Sequence, residues 1–180
     1  MLRYCGILIV ALFVLLSGCA ALHGGPNLSE EELDKIQDGI REFMEDPDFS
    51  IEMNNISQEN GLLRITSNQS SFLVSPVDYL VTGAEFTDQD AILPVTKTTF
   101  HTRAVDGIRT FLGNEKFSPE ISRVRYYDDR YEIEGPGMFF RVNATTGTVV
   151  TLRLLGEEPV RALNQSDQFT GARDALNVTF

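Results

Sequence analysis

The chain has 180 residues, a formal net charge of −11 at pH 7 and only two cysteines, Cys5 and Cys19. That acidity disfavours nucleic acid and anionic lipid headgroups as partners and is a common solubility device. With both cysteines near the N-terminus, the rest of the chain lacks the means for disulfides, thiolate zinc sites or a cysteine nucleophile, so its core must hold by packing.

The N-terminus comes first in chain order. Arg3 precedes the uncharged run Ile7 to Leu16, which leads into Leu16-Ser17-Gly18-Cys19. An apolar stretch of this length suits a signal-peptide core better than a membrane span, which needs about 20 residues. The spacing reads as a lipobox: residues 1–18 form a lipoprotein signal peptide, Cys19 takes the lipid and 19–28 form a tether. An uncleaved anchor over Tyr4 to Leu22 is the alternative, and both readings place the remainder outside the cytoplasm on a membrane surface. Glycosylation signals agree with that location. Asn27, Asn55, Asn68, Asn143, Asn164 and Asn177 each open an N-x-S/T sequon, where chance would leave about one or two. Lipobox and dense sequons together resemble archaeal surface lipoproteins.

Residues 29–86 read as a first helix-plus-sheet unit. Leu33, Ile36, Ile40, Phe43 and Met44 mark one helical face, and Ser29 with Glu32 forms a capping box at its start. Short strands follow over 50–54, 62–66, 71–75 and 79–86. Residues 87–97, with Asp88, Asp90 and Pro94, read as a polar linker. A second unit over 98–155 opens with a helix from Thr98 or Thr99 carrying Ala104, Ile108, Phe111 and Leu112. Alternation around Val124 and Tyr126, Tyr131 and Ile133, Met138 to Val142 and Thr148 to Leu154 gives its strands, with turns at Asp128-Asp129, Gly135-Pro136-Gly137 and Ala144 to Gly147. The tail, 156–180, reads either as a closing helix or as a loose glycosylated end.

The two units match under a gapless shift of 68 residues. Asp38-Gly39-Ile40-Arg41 falls on Asp106-Gly107-Ile108-Arg109, and Phe49-Ser50 on Phe117-Ser118. A duplication follows, and the expected fold class is α+β: a tandem repeat of one helix and a three- to four-stranded antiparallel sheet. Gly39 and Gly107 sit mid-helix at a cost of about 1 kcal/mol, which points to close packing against the sheet. Asp38 with Arg41, and Asp106 with Arg109, are spaced to pair on the helix surface. Pro76 and Tyr79 stand where the second unit has Ala144 and Gly147, so the last hairpin of the first unit is expected to differ.

The second unit also carries a family resemblance. Its helix, then Tyr131-Glu132-Ile133, then Phe140-Arg141-Val142-Asn143-Ala144-Thr145-Thr146-Gly147-Thr148-Val149 resembles a PepSY domain over residues 98–155, with Asn143 where that family usually has aspartate. The resemblance implies tandem helix-plus-sheet modules of secreted or membrane-attached proteins that bind or inhibit peptidases. The layout is also similar to the β-lactamase inhibitory proteins, where a concave sheet grips an enzyme. Neither resemblance brings catalytic residues.

Catalytic candidates are few. His23 lies in the tether, and His101 at a helix start reads as surface polar. No G-x-S-x-G elbow, H-E-x-x-H or phosphate loop is present. Glu132 and Glu134 share one strand face and read as solvated, without a glycosidase role. Glu30-Glu31-Glu32 and Asp128-Asp129 lack the spacing of a calcium loop. The expectation is a non-enzymatic protein with no metal, no cofactor and no nucleic-acid partner, joined to the membrane through lipid on Cys19. It would bind an extracytoplasmic protein through an exposed sheet face, with peptidase inhibition or regulation as the specific form. A small-ligand or cation sensor, with a pocket near Asp88 and Asp90 or near Asp128-Asp129, is the alternative, and a hydrolase using His101 the least favoured.

Overall fold

A computed structural model describes residues 26–154. The expected signal peptide, Cys5, Cys19, His23, Asn164, Asn177 and the tail 156–180 lie outside the described residues.

Helix α1 (Glu30–Met44) leads into β1 (Asn55–Glu59), β2 (Leu62–Thr66), β3 (Ser70–Val74) and β4 (Val81–Phe86). Then come α2 (Gln89–Val95), α3 (Thr99–Leu112), β5 (Arg123–Tyr127), β6 (Arg130–Gly135), β7 (Met138–Asn143) and β8 (Val149–Leu154). All eight strands form one antiparallel sheet in sequence order.

This overturns the expected fold class. The two units do not each carry a sheet of three to four strands: β4 pairs with β5, Gly83 opposite Tyr127 and Phe86 opposite Val124, and the ladder runs unbroken from β1 to β8. The buried residues likewise form a single cluster drawn from both halves. Phe43 joins them, its ring 6.4 Å from Phe72 in its own half and 5.1 and 5.0 Å from Phe100 and Tyr126 in the other. The presumed linker is largely helical. The Asp88 carboxylate caps α2 by accepting from the Asp90 N–H at 2.9 Å, and Ile92 and Val95 are buried. The strand expected over 50–54 is also displaced, since β1 begins at Asn55.

The helices start and stop as their caps dictate. The Ser29 hydroxyl accepts from the Glu32 N–H at 3.3 Å while the Glu32 carboxylate accepts from the Ser29 N–H at 2.8 Å. Thr98 caps α3 by accepting from the His101 N–H at 3.3 Å. Both long helices end in left-handed residues, Glu45 (φ 54°) and Gly113 (φ 62°). Glu45 has a further task, because its carboxylate accepts from the Thr99 N–H at 2.8 Å and so ties the end of α1 to the start of α3.

Positions 68 apart take matching geometry. A Cβ on Gly39 would lie 2.0 Å from the Tyr79 carbonyl oxygen, and one on Gly107 1.7 Å from that of Gly147, so each helix packs directly on the backbone of a hairpin turn. Arg41 and Arg109 pair with Asp38 and Asp106 at 2.9 Å and also donate to the carbonyls of Phe49 and Phe117. The expected difference between the last hairpins does not occur. Tyr79 adopts φ 59°, beside φ 74° at Gly147, and the N–H of each donates to the carbonyl four residues back, Ser75 and Asn143. Both β3–β4 and β7–β8 also shift register at matching places, Leu73/Val74 and Arg141/Val142.

Candidate functional site

Alternation gives the sheet two unlike faces. Leu63, Ile65, Phe72, Val74, Phe86, Val124, Tyr131, Ile133, Phe140 and Val142 are buried on the helix-bearing side. Residues between them point to the other side, which no helix among the described residues covers. Register places Thr151, Arg141, Glu132, Arg125, Glu85 and Ser71 opposite one another in a row from β8 to β3. A neighbouring row holds Asn143, Arg130, Tyr127, Gly83, Leu73 and Arg64, and a third holds Arg153, Phe139, Glu134 and Arg123.

Glu132 is the hub of this face. Its side chain is only 3% exposed, against the expectation of a solvated acid. Arg125 reaches Oε2 at 3.1 Å, Arg141 reaches Oε1 at 2.8 Å, and the Tyr127 hydroxyl donates to Oε1 at 3.2 Å. The glutamate in turn raises the Arg141 pKa through its hydrogen bond and its charge. Arg123 spans Glu134 at 3.4 Å and Glu85 at 3.6 Å, and its Nε is buried without a hydrogen-bond partner among the described residues. Arg130 and Arg153 are exposed and lie over the Tyr127 and Phe139 rings, at 5.7 and 5.6 Å. Where the halves join, Arg64, Leu73, Gly83, Glu85, Arg125 and Tyr127 border a shallow depression of about 150 Å³. Gly83 forms its floor, since a Cβ there would come within 3.1 Å of the Leu73 side chain.

A second candidate lies on the helix side. A cleft of about 470 Å³ opens between α2, α3 and the segment 118–121, lined by Gln89, Leu93, Thr96, His101, Arg109 and Glu120 among others. His101 is buried rather than surface polar, and its Nδ1 shares a 2.7 Å hydrogen bond with the Tyr131 hydroxyl. Burial lowers the imidazole pKa to about 4, keeping it neutral at pH 7. The partner is a phenol, and no carboxylate is hydrogen-bonded to this imidazole among the described residues, so the arrangement is not a Ser-His-Asp triad.

The remaining candidates do not converge. Asp88 is spent as a cap, while Asp90 borders a separate depression of about 300 Å³ with Glu52, Asn54 and Asn68. Asp128 and Asp129 form the β5–β6 turn at φ 47° and 60°. Among the described residues no three His, Cys, Asp or Glu side chains gather where they could hold a metal ion. Asn27, Asn55 and Asn68 are exposed; Asn143 is half-buried, and its side-chain oxygen accepts from the Thr146 N–H at 2.8 Å. No described helix is long and apolar enough to cross a membrane. No family model matches the chain, and no curated protein or solved structure matches it either.

Proposed function

We propose that this chain is a non-enzymatic protein-binding module, held at the extracytoplasmic membrane surface by lipid on Cys19, and that the open sheet face is its binding surface. The PepSY-like stretch over 98–155 makes a peptidase the favoured class of partner. The observation that carries the reading is the uncovered face itself. Eight strands present polar, aromatic and apolar side chains with a central depression, on a scaffold stiffened by one core on the opposite side. A broad sheet face that carries aromatic side chains and is backed by a packed core suits protein partners, because little order is lost on docking.

Affinity capture with the full-length protein from a membrane extract of its own source tests this. Leu73→Glu, on the open face, should abolish recovery of a stoichiometric partner, while Leu93→Glu, exposed on α2, should leave it intact. Equal capture by both variants, each with unchanged melting, would contradict the assignment. The buried imidazole beside the 470 Å³ cleft favours a second reading, a small-ligand sensor. A ligand that raises the melting temperature of the wild type but not of His101→Gln would favour it.

A further inference from the structure

Charge is unevenly divided between the two sides of the sheet. Residues 29–48, around α1, carry nine carboxylates against Lys35 and Arg41. The open face of β5–β8 carries Arg123, Arg125, Arg130, Arg141 and Arg153 against Glu132 and Glu134. Both glutamates are already engaged, Glu132 by Arg125 and Arg141 and Glu134 by Arg123. Arg130 and Arg153 form no ion pair among the described residues, although each is exposed and lies within cation–π range of a ring. A guanidinium attracted to a ring in this way makes no hydrogen bond to it, so its N–H donors remain available to a carboxylate. Arg123 is held between Glu134 and Glu85 and is not counted among the free cations.

We infer that the open face of β5–β8 docks an acidic segment of the protein partner, whose carboxylates pair with Arg130 and Arg153. This rests on the protein-binding reading above and names the chemistry of the partner at that same face. It also reverses what the overall charge suggests, because a chain of net charge −11 would otherwise favour a basic partner. Arg130 and Arg153 stand two strands and about four residues apart, roughly 17 Å, which an extended segment spans in about five residues. Midway between them lies Arg141, its charge already met by Glu132, and Phe139 lies beside Arg153. A short segment with carboxylates at both ends and apolar residues between fits that pattern. A polyanion such as nucleic acid or an anionic bilayer would also meet Glu85, Glu132 and Glu134 and the negative field of the whole chain.

The test uses the full-length protein in non-ionic detergent and a ten-residue peptide with two glutamates near each end and leucines between, carrying a neutral dye. Binding should weaken at least about fivefold between about 50 and 300 mM salt. The double variant Arg130→Ala/Arg153→Ala should raise Kd at least about tenfold, whereas Lys97→Ala/Lys116→Ala, off this face, should change it less than about twofold. No binding by the wild type at about 1 mM peptide, equal loss in both double variants, or tighter binding of the lysine counterpart would overturn the inference. Preferential binding to phosphatidylglycerol vesicles would overturn it as well. If the acidic peptide fails while the wild type still captures a partner that Leu73→Glu loses, the protein-binding reading stands and the acidic occupant falls.

Discussion

The two halves of the chain hold the same skeleton and present different surfaces. Gly39 and Gly107, Arg41 and Arg109, Glu45 and Gly113, and Tyr79 and Gly147 occupy matching places 68 residues apart, each with a job in helix packing, a helix end or a turn. The open face does not follow that pattern. β1–β4 contribute Arg64, tied to Glu59, while β5–β8 contribute five arginines. What the halves share holds the fold together, and what they do not share gives the face its charge.

The largest expected effect breaks the shared part. Gly107→Ala and Gly39→Ala each force a methyl into a turn carbonyl, and each should cost about 3 kcal/mol or more, lowering Tm by roughly 10 °C. Thermal unfolding checks both, and a cost at only one site would show that the two helix–turn contacts are not equivalent.

Next is a feature of the second half alone, since Leu33 stands at the position matching His101. The folded-state imidazole has its pKa lowered to about 4 by burial, while the unfolded chain titrates near 6.5. The unfolded state therefore binds the extra proton, and stability should fall as pH drops from about 6.5 to 4, by on the order of 2–3 kcal/mol. Carboxylates act lower on the scale. Glu31 is held down by Lys35, Glu32 by Ser29, Glu59 by Arg64 and Asp78 by Ser75, so their contributions are present above about pH 4.5 and lost below it. Denaturant unfolding at pH 7 and pH 5 should separate the two. His101→Gln should flatten the dependence across that interval, and an unchanged slope would contradict the assignment to this residue.

Glu132→Ala leaves Arg125 and Arg141 facing each other without their shared carboxylate and should cost about 2 kcal/mol. A neutral outcome in denaturant unfolding would show that the hub is not structural. The smallest effect separates the two helix ends. Gly113→Ala should cost about 1 kcal/mol because its φ is left-handed. Glu45→Gly relieves similar strain but loses the bond to Thr99, and should come out within about 0.5 kcal/mol of neutral.

Local structure was legible in the residues wherever one element's pattern suffices. The capping box at Ser29, the helical faces apart from Phe111, which is 41% exposed, the Asp128-Asp129 turn and most strand spans follow from periodicity and turn chemistry. Adjacency between elements distant in sequence was not. Alternation gives β4 and β5 two faces each but does not say that Glu85 lies opposite Arg125, so the joined sheet escapes a pattern reading. The same limit hid Glu132, which is buried by arginines on both neighbouring strands, and His101, which is buried by the packing of α3 on β6. Helix α2 was concealed by Pro94, which reads as a breaker but is placed in its last turn. Tyr79 misled because glycine is the usual occupant of a left-handed turn position, yet its ring packs against the core with Lys35 above it.

Both halves form one cooperative body, so that the basic face of one is held by the core of both. Differential scanning calorimetry of the full-length protein, alone and with Gly39→Ala, tests it most directly. One transition is expected, with equal calorimetric and van't Hoff enthalpies, moved as a whole to lower temperature by the substitution. Two transitions, with only one of them moved, would show that the halves unfold separately and would contradict it.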